Sequence, residues 1–283
     1  MRVSELLKMG ETHLIDAGIE NAKGEAEQIF CAMKNYDRTQ FFVKWSKEAT
    51  DNEIESFMVL IEKRSKRVPL QQIIGSVEFM GYPFKVTEEV LIPRMDTEVL
   101  VEEALKVISK KDQVLDLCTG SGIIGIYIAK ECEANKMPVK VTLSDLSVNA
   151  INLAKENMEL NELKLEVVES DLFDKFKRKK FNVIVSNPPY IRKDVIPTLE
   201  VEVREHDPMM ALDGGEDGLD FYRAITAEAV NHLKKNGHLL YEIGHDQAED
   251  VLEMLTSAGF ENIQVIKDLA GLDRVVYGTY TGK

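Results

Sequence analysis

Apolar residues recur at helical spacing through the first third of the chain. Leu6, Leu7, Leu14 and Ile15 form one stretch, Ala26, Ile29, Phe30 and Met33 a second, and Ile54, Phe57, Met58 and Ile61 a third. No proline precedes Pro69, so nothing there forbids long helices. The pattern predicts a small helical bundle over residues 1–72, with Phe30, Phe41, Phe42 and Trp45 in its core. Alternation with two glycines over 73–86 predicts a β-hairpin, placed in a linker over 73–90. Beyond it the period changes. Short apolar runs at 114–117, 139–143, 165–168, 183–185, 238–243, 263–267 and 274–280 alternate with helical stretches at 123–130, 147–160, 219–235 and 246–258. This βαβ alternation predicts a mainly parallel sheet with an antiparallel end, over a domain spanning 91–283.

Composition narrows the class. The 283 residues carry 35 Lys and Arg against 49 Asp and Glu, a net charge of −14. Residues 1–75 hold 11 basic and 12 acidic side chains, so nearly all the excess lies in the second region. An acidic chain disfavours nonspecific duplex binding through phosphates. No apolar run approaches the length of a membrane helix, and the first residues lack a secretory pattern. Cys31, Cys118 and Cys132 are odd in number and widely spaced, which argues against a disulfide framework or zinc site. A reducing cytoplasm is the expected compartment.

Candidate chemistry begins at Asp116-Leu117-Cys118-Thr119-Gly120-Ser121-Gly122-Ile123-Ile124-Gly125, where a strand turns into a helix. Two templates match. Gly120 to Gly125 reads G-x-G-x-x-G, and Asp145 follows 20 residues later, as in dinucleotide-binding folds. The nucleoside loop of S-adenosylmethionine-dependent methyltransferases, Asp/Glu-x-Gly-x-Gly-x-Gly, also fits, with Cys118 in place of its first glycine. Asp116 suits a cationic ligand such as the methionine moiety of that cofactor and has no evident use beside a pyrophosphate. The loop alone leaves the choice open.

Val183-Ile184-Val185-Ser186-Asn187-Pro188-Pro189-Tyr190 places a polar residue and two prolines after an apolar strand. Proline cannot continue a central strand, so the chain turns there. Ligands of open α/β sheets bind at such carboxyl ends. The arrangement suits methylation of a planar nitrogen, whose delocalised lone pair makes it a poor nucleophile. The Asn187 side-chain oxygen and the Pro188 carbonyl can each accept one N–H of the substrate. Pro189 stiffens the turn, and Tyr190 offers a flat wall. Positioning then supplies much of the catalysis, with no metal needed. Asn and Pro are also ordinary turn residues. A turn alone, however, leaves the ordered succession of glycine loop, Asp145 and tetrapeptide unexplained.

With these residues together, the sequence resembles the HemK-like family of release-factor glutamine methyltransferases over nearly its whole length. The resemblance rests on Leu91-Ile92-Pro93-Arg94-Met95-Asp96-Thr97-Glu98, the glycine loop, Asn187-Pro188-Pro189-Tyr190 and Leu212-Asp213-Gly214-Gly215-Glu216-Asp217-Gly218-Leu219. Met95 and Asp96 stand where the family usually has proline and glutamate. The resemblance implies a Rossmann-like methyltransferase domain with a seven-stranded mixed sheet, behind a helical substrate-recognition domain. It implies methyl transfer from S-adenosylmethionine to the glutamine amide of the Gly-Gly-Gln motif in class I peptide chain release factors. Asn187, Pro188, Pro189 and Tyr190 would be catalytic. Asp116, Cys118, Thr119, Gly120, Ser121, Gly122, Asp145, Leu146, Asp171, Leu172 and Asn187 would surround the cofactor. Neither a membrane nor a nucleic-acid substrate is expected.

Other features permit other readings. Residues 194–220 hold nine acids and one base, Arg204; such a run reads as a solvated loop, or, being too long for a plain connection, as an acidic rim that steers a basic loop toward the site. Arg94 and Glu98 are spaced for an ion pair one turn apart, with contact to substrate as the other reading. The basic runs at 63–67 and 175–180 read as solvated segments, and the five histidines lack ligand spacing. The rival functions are an adenine N6-methyltransferase using the same tetrapeptide, a dinucleotide oxidoreductase, and a non-catalytic interaction protein on the same fold.

Overall fold

In the computed structural model, which describes residues 1–282, the periodic stretches of the first region become helices α1 (Val3–Asp16), α2 (Ala22–Lys34) and α4 (Asp51–Ser65). A short α3 (Arg38–Lys44) and α5 (Leu70–Ile74) join them. Starts are set by caps. Asp37 accepts from the Gln40 N–H before α3, and Thr50 and Glu53 cap each other before α4. Leu6, Leu14, Ile29, Phe30, Phe57 and Ile61 form the core, with Phe30 edge-on to Phe57. Phe42 departs from expectation: it is 62% exposed. Phe41, one position earlier on α3, takes the inward direction, and the next residue points about 100° away.

The chain divides into two compact units, one holding Met1–Val77 with Glu200–His206 and the other Glu78–Leu199 with the residues from Asp207 on. The remote segment joins the helical unit through α9 (Val201–Arg204), whose Glu202 pairs with Arg64 and Arg67. Arg64, 7% exposed, also donates to Glu25.

After α5 comes the hairpin of β1 (Ser76–Phe79) and β2 (Tyr82–Lys85). It starts later than expected because α5 takes residues 73 and 74. Then follow α6 (Thr97–Val107), β3 (Gln113–Leu117), α7 (Ile123–Ala134), β4 (Lys140–Asp145), α8 (Val148–Leu160), β5 (Glu166–Glu169) and β6 (Phe181–Ser186). The chain ends with α10 (Met209–Leu212), α11 (Asp220–His232), β7 (Leu233–Glu242), α12 (Ala248–Ser257), β8 (Phe260–Lys267) and β9 (Asp273–Tyr280).

Seven strands form one sheet in the order β5-β4-β3-β6-β7-β9-β8. The first five are parallel, whereas β9 runs antiparallel to both β7 and β8. Both faces are covered. Leu115, Leu117, Ile184, Leu239 and Tyr241 pack with α11 and α12, and the alternate residues Val114, Val183, Val185 and Leu240 are equally buried. Strand β7 begins five residues before the expected 238. Its polar Lys234, Lys235 and Asn236 hide it, yet Leu233 already pairs with Phe181. The sequence β4, β3, β6 reverses direction at β3, so a crevice opens between the carboxyl ends of β3 and β6.

Candidate active site

The glycine loop leaves β3 under tight backbone demands. Cys118 has φ +59°, a left-handed conformation that favours glycine, and it stands where the methyltransferase pattern has glycine. Burial pushes its thiol pKa up, so the group stays protonated. Ser186 at the end of β6 donates to the Leu117 carbonyl at 2.6 Å and ties the two strand ends together. Beneath the loop, Asp116 is fully buried. Its Oδ2 accepts from the Gly125 N–H at 2.8 Å and from the Thr119 hydroxyl at 2.5 Å. Gly125 permits this approach: a Cβ there would lie 2.1 Å from Leu143 Cδ2 and 3.0 Å from Asp116 Oδ2.

A cleft of about 510 Å³ opens above the loop, in the usual range for small-molecule sites. Cys118, Thr119, Gly120 and Ser121 line it from β3, and Asp145 and Leu146 from β4. Asp171 and Leu172 follow β5, and Asn187 and Pro189 follow β6. Asp145 accepts from the Gly120 and Ser147 N–H groups at 2.9 Å, which fixes both oxygens, and burial raises its pKa. Four expected site residues do not line the cleft: Asp116, Gly122, Pro188 and Tyr190. Asp116 is spent on pinning the loop. Tyr190 turns toward the hydrophobic core, and its carbonyl accepts from Gln247. Gly214 explains why the 212–219 motif accompanies the tetrapeptide, since a Cβ there would lie 2.7 Å from the Tyr190 Cα.

The cleft also uses residues outside the expected set. Val90, Ile92, Arg94 and Thr97 form one wall, and Pro208, Met210 and Phe221 contribute to another. Arg94 pairs with Asp207 at 2.5 Å, not with Glu98. Asn157, fully buried in α8, donates to the Ser121 carbonyl at 2.9 Å and accepts from the Lys85 N–H at 2.6 Å, linking loop to hairpin. Its only sequence signal is a polar residue on the apolar face of a helix. The acidic run is not a free rim either: seven of its nine acids lie within 4 Å of a basic side chain.

Residues 5–75 match the family described as PrmC N-terminal domain, and residues 94–202 match Methyltransferase small domain. The chain is 41% identical over 276 residues to the release factor glutamine methyltransferase of Geobacter sulfurreducens, covering 98% of this chain and 96% of that protein. It is 38% identical over 288 residues to that of Clostridium acetobutylicum, covering all of both. The chain belongs to the release factor glutamine methyltransferase family. Solved structures agree on the fold. A methyltransferase from Pyrococcus furiosus has a TM-score of 0.55 at 17% identity, covering 81% of this chain and 98% of that one. The T. thermophilus 16S rRNA N2 G1207 methyltransferase in complex with AdoMet and guanosine has a TM-score of 0.53 at 18% identity, covering 72% and 49%.

The cleft can be tested against the cofactor of such enzymes. Asp116 Oδ1 and Ser144 Oγ, buried at the ends of β3 and β4, have no hydrogen-bond partner among the described residues. Asp145 and Asp171 supply acceptors for hydroxyl and amino groups, and Glu88 and Glu89 add negative charge that suits a cation. Val90, Ile92, Leu172 and Phe221 provide apolar walls for a flat ring. These residues fit S-adenosylmethionine. Among the described residues, no group of three or more His, Cys, Asp or Glu could hold a metal ion. No helix of the described residues is long and apolar enough to cross a membrane.

Proposed function

We propose that this protein methylates the side-chain amide nitrogen of the glutamine in the Gly-Gly-Gln motif of class I peptide chain release factors. The observation that carries the reading is the shared cleft: Asn187 and Pro189 face it from β6, and the glycine loop faces it from β3. S-adenosylmethionine supplies an electrophilic methyl group on a cationic sulfur. The chain does the positioning. Asp145 holds the ribose hydroxyls, Asp171 meets the adenine amino group, and Leu146 and Leu172 pack beside the nucleoside. Thr119, Gly120 and Ser121 shape the floor, with Asp116 and Gly122 supporting it from below. The Asn187 side-chain oxygen and the Pro188 carbonyl accept the two amide N–H groups of the glutamine. This directs the nitrogen lone pair and favours the positive charge that develops on it. Pro189 and Tyr190 hold the tetrapeptide in shape. The helical unit, residues 1–72 with the 200–206 segment, recognises the body of the release factor, and the enzyme works in the cytoplasm.

The test offers labelled S-adenosylmethionine with a release factor, with the same factor carrying an altered glutamine, or with DNA. Label is expected in the unaltered factor only. Label in DNA would support the adenine N6-methyltransferase alternative, and label in the altered factor would also overturn the reading.

A further inference from the structure

A buried carboxyl group stands behind Asn187. Glu242 ends β7 and is 1% exposed. Strand β7 runs parallel to β6 with Tyr241 opposite Ser186, so Glu242 lies level with Asn187. The side chains of Thr97 and Asn187 lie beside its carboxylate and favour its charged form. Asn187 Nδ2 also donates to Thr97 Oγ1 at 3.5 Å. Glu242 Oε2 has no hydrogen-bond partner among the described residues. A buried acid on a central strand is costly unless it has a use. It does not line the cleft itself, whereas Thr97 and Asn187 do.

We propose that Glu242 is a positioning residue that fixes which end of the Asn187 amide faces the substrate. This rests on the glutamine-methyltransferase reading. The two ends of an asparagine amide are nearly identical in shape and opposite in polarity. A carboxylate only accepts hydrogen bonds, so the Asn187 NH₂ must turn to Glu242 and Thr97. The Asn187 oxygen is then left to accept from the substrate nitrogen. A protonated Glu242 could donate instead, and the flipped amide would present N–H groups to the substrate N–H.

The surroundings place this change within an accessible pH range. Burial raises the Glu242 pKa to about 7, opposed by Thr97, Arg274 and Asn187, while Asp96 raises it further. Arg274, on β9, is itself paired with Asp96 and Asp268 at 3.2 Å. Tyr190 and Tyr222 also neighbour it, and burial pushes both upward, away from neutral pH.

The experiment follows the Asn187 side-chain amide resonance in ¹⁵N-labelled protein without cofactor between pH 5 and 9. It is run alongside release-factor methylation by wild type and Glu242→Gln. The resonance is expected to shift with a midpoint near pH 7 in wild type and to stay flat in Glu242→Gln. The kcat of Glu242→Gln should fall about 10-fold or more, with cofactor Kd and release-factor KM within about twofold. A resonance that ignores pH, or a kcat within twofold of wild type, would overturn the proposal. Should Glu242→Gln fail to fold, Thr97→Val gives the second reading. Losing the hydroxyl must move the midpoint upward, and an unmoved midpoint counts against the proposal. A wild type inactive on release factors would defeat the functional reading, while the resonance would still report on the Glu242 contact.

Discussion

Replacing Asp116 by Asn probes the floor of the site with a change of almost no volume. Burial raises the Asp116 pKa from 3.8 to about 7, against the lowering effect of its bonds from Thr119 and Gly125. Between those values the unfolded chain is ionised while the folded protein keeps its proton. The folded state binds more protons, so stability falls as pH rises from about 4 to 7 and is level above that. A shift of roughly three units at 1.36 kcal/mol each makes the loss about 4 kcal/mol. The Asn variant keeps an oxygen for the Gly125 N–H and the Thr119 hydroxyl but cannot ionise. At pH 4 both proteins bury a neutral side chain, and they should be about equally stable. At pH 8 the variant should be more stable by up to about 4 kcal/mol. Urea unfolding of cofactor-free protein across this range measures the difference, in which the similar slope from Glu242 cancels. At pH 8, where Asp116 is ionised, the same variant should also bind S-adenosylmethionine less tightly, because a negative charge near a cation is lost. A stability difference independent of pH, or a variant less stable at pH 8, would refute the reasoning.

Three further substitutions test separate parts of the argument. Asn187→Ala should lower kcat about 100-fold and leave cofactor affinity within about threefold, checked by methylation kinetics and calorimetric titration. Gly125→Ala should destabilise the methyltransferase unit by about 1–3 kcal/mol in urea, because its Cβ would meet Leu143 Cδ2 at 2.1 Å. Arg64→Ala leaves Glu25 and Glu202 without a buried cation and should cost about 3 kcal/mol, read from urea unfolding with hydrogen exchange of α2 and α4.

The sheet was legible because its parallel strands are buried on both faces and so appear as short apolar runs. The same rule failed where the start of a strand is polar, as at Lys234–Asn236. It also gave no sign of α6, although Leu100, Val101 and Ala104 form its buried stripe. The near wall of the cleft was legible for a different reason: glycines and prolines at strand ends mark backbone that side chains cannot replace. The far wall was not. Ile92, Pro208, Met210 and Phe221 come from segments more than 100 residues apart, and no period connects them. Asp116 shows the limit of reading a motif residue by its charge. Its place in the pattern suggested a ligand contact, whereas the structure commits one oxygen to the loop and leaves only the other free of partners.

Charge shows the same limit on a larger scale. Nine acids against one base in 194–220 suggest a local negative field, but a count along the chain ignores partners brought in by folding. Arg64, Arg67, Arg94, Arg192, Lys193 and Arg223 all lie outside that window, and all reach acids within it. A paired acid and base form a dipole, whose field fades over a few ångströms and is screened within about 8–10 Å in physiological salt. Attraction of a basic loop must therefore draw on the whole-chain charge of −14 rather than on this segment. Capture of release factor should weaken with salt, yet Glu205→Gln should scarcely change its rate. Glu202→Gln should act differently from both. It removes the shared partner of Arg64 and Arg67, so its effect belongs in the stability of the helical unit and not in the association rate. A Glu202→Gln protein of unchanged stability that captured its substrate more slowly would restore the acidic rim.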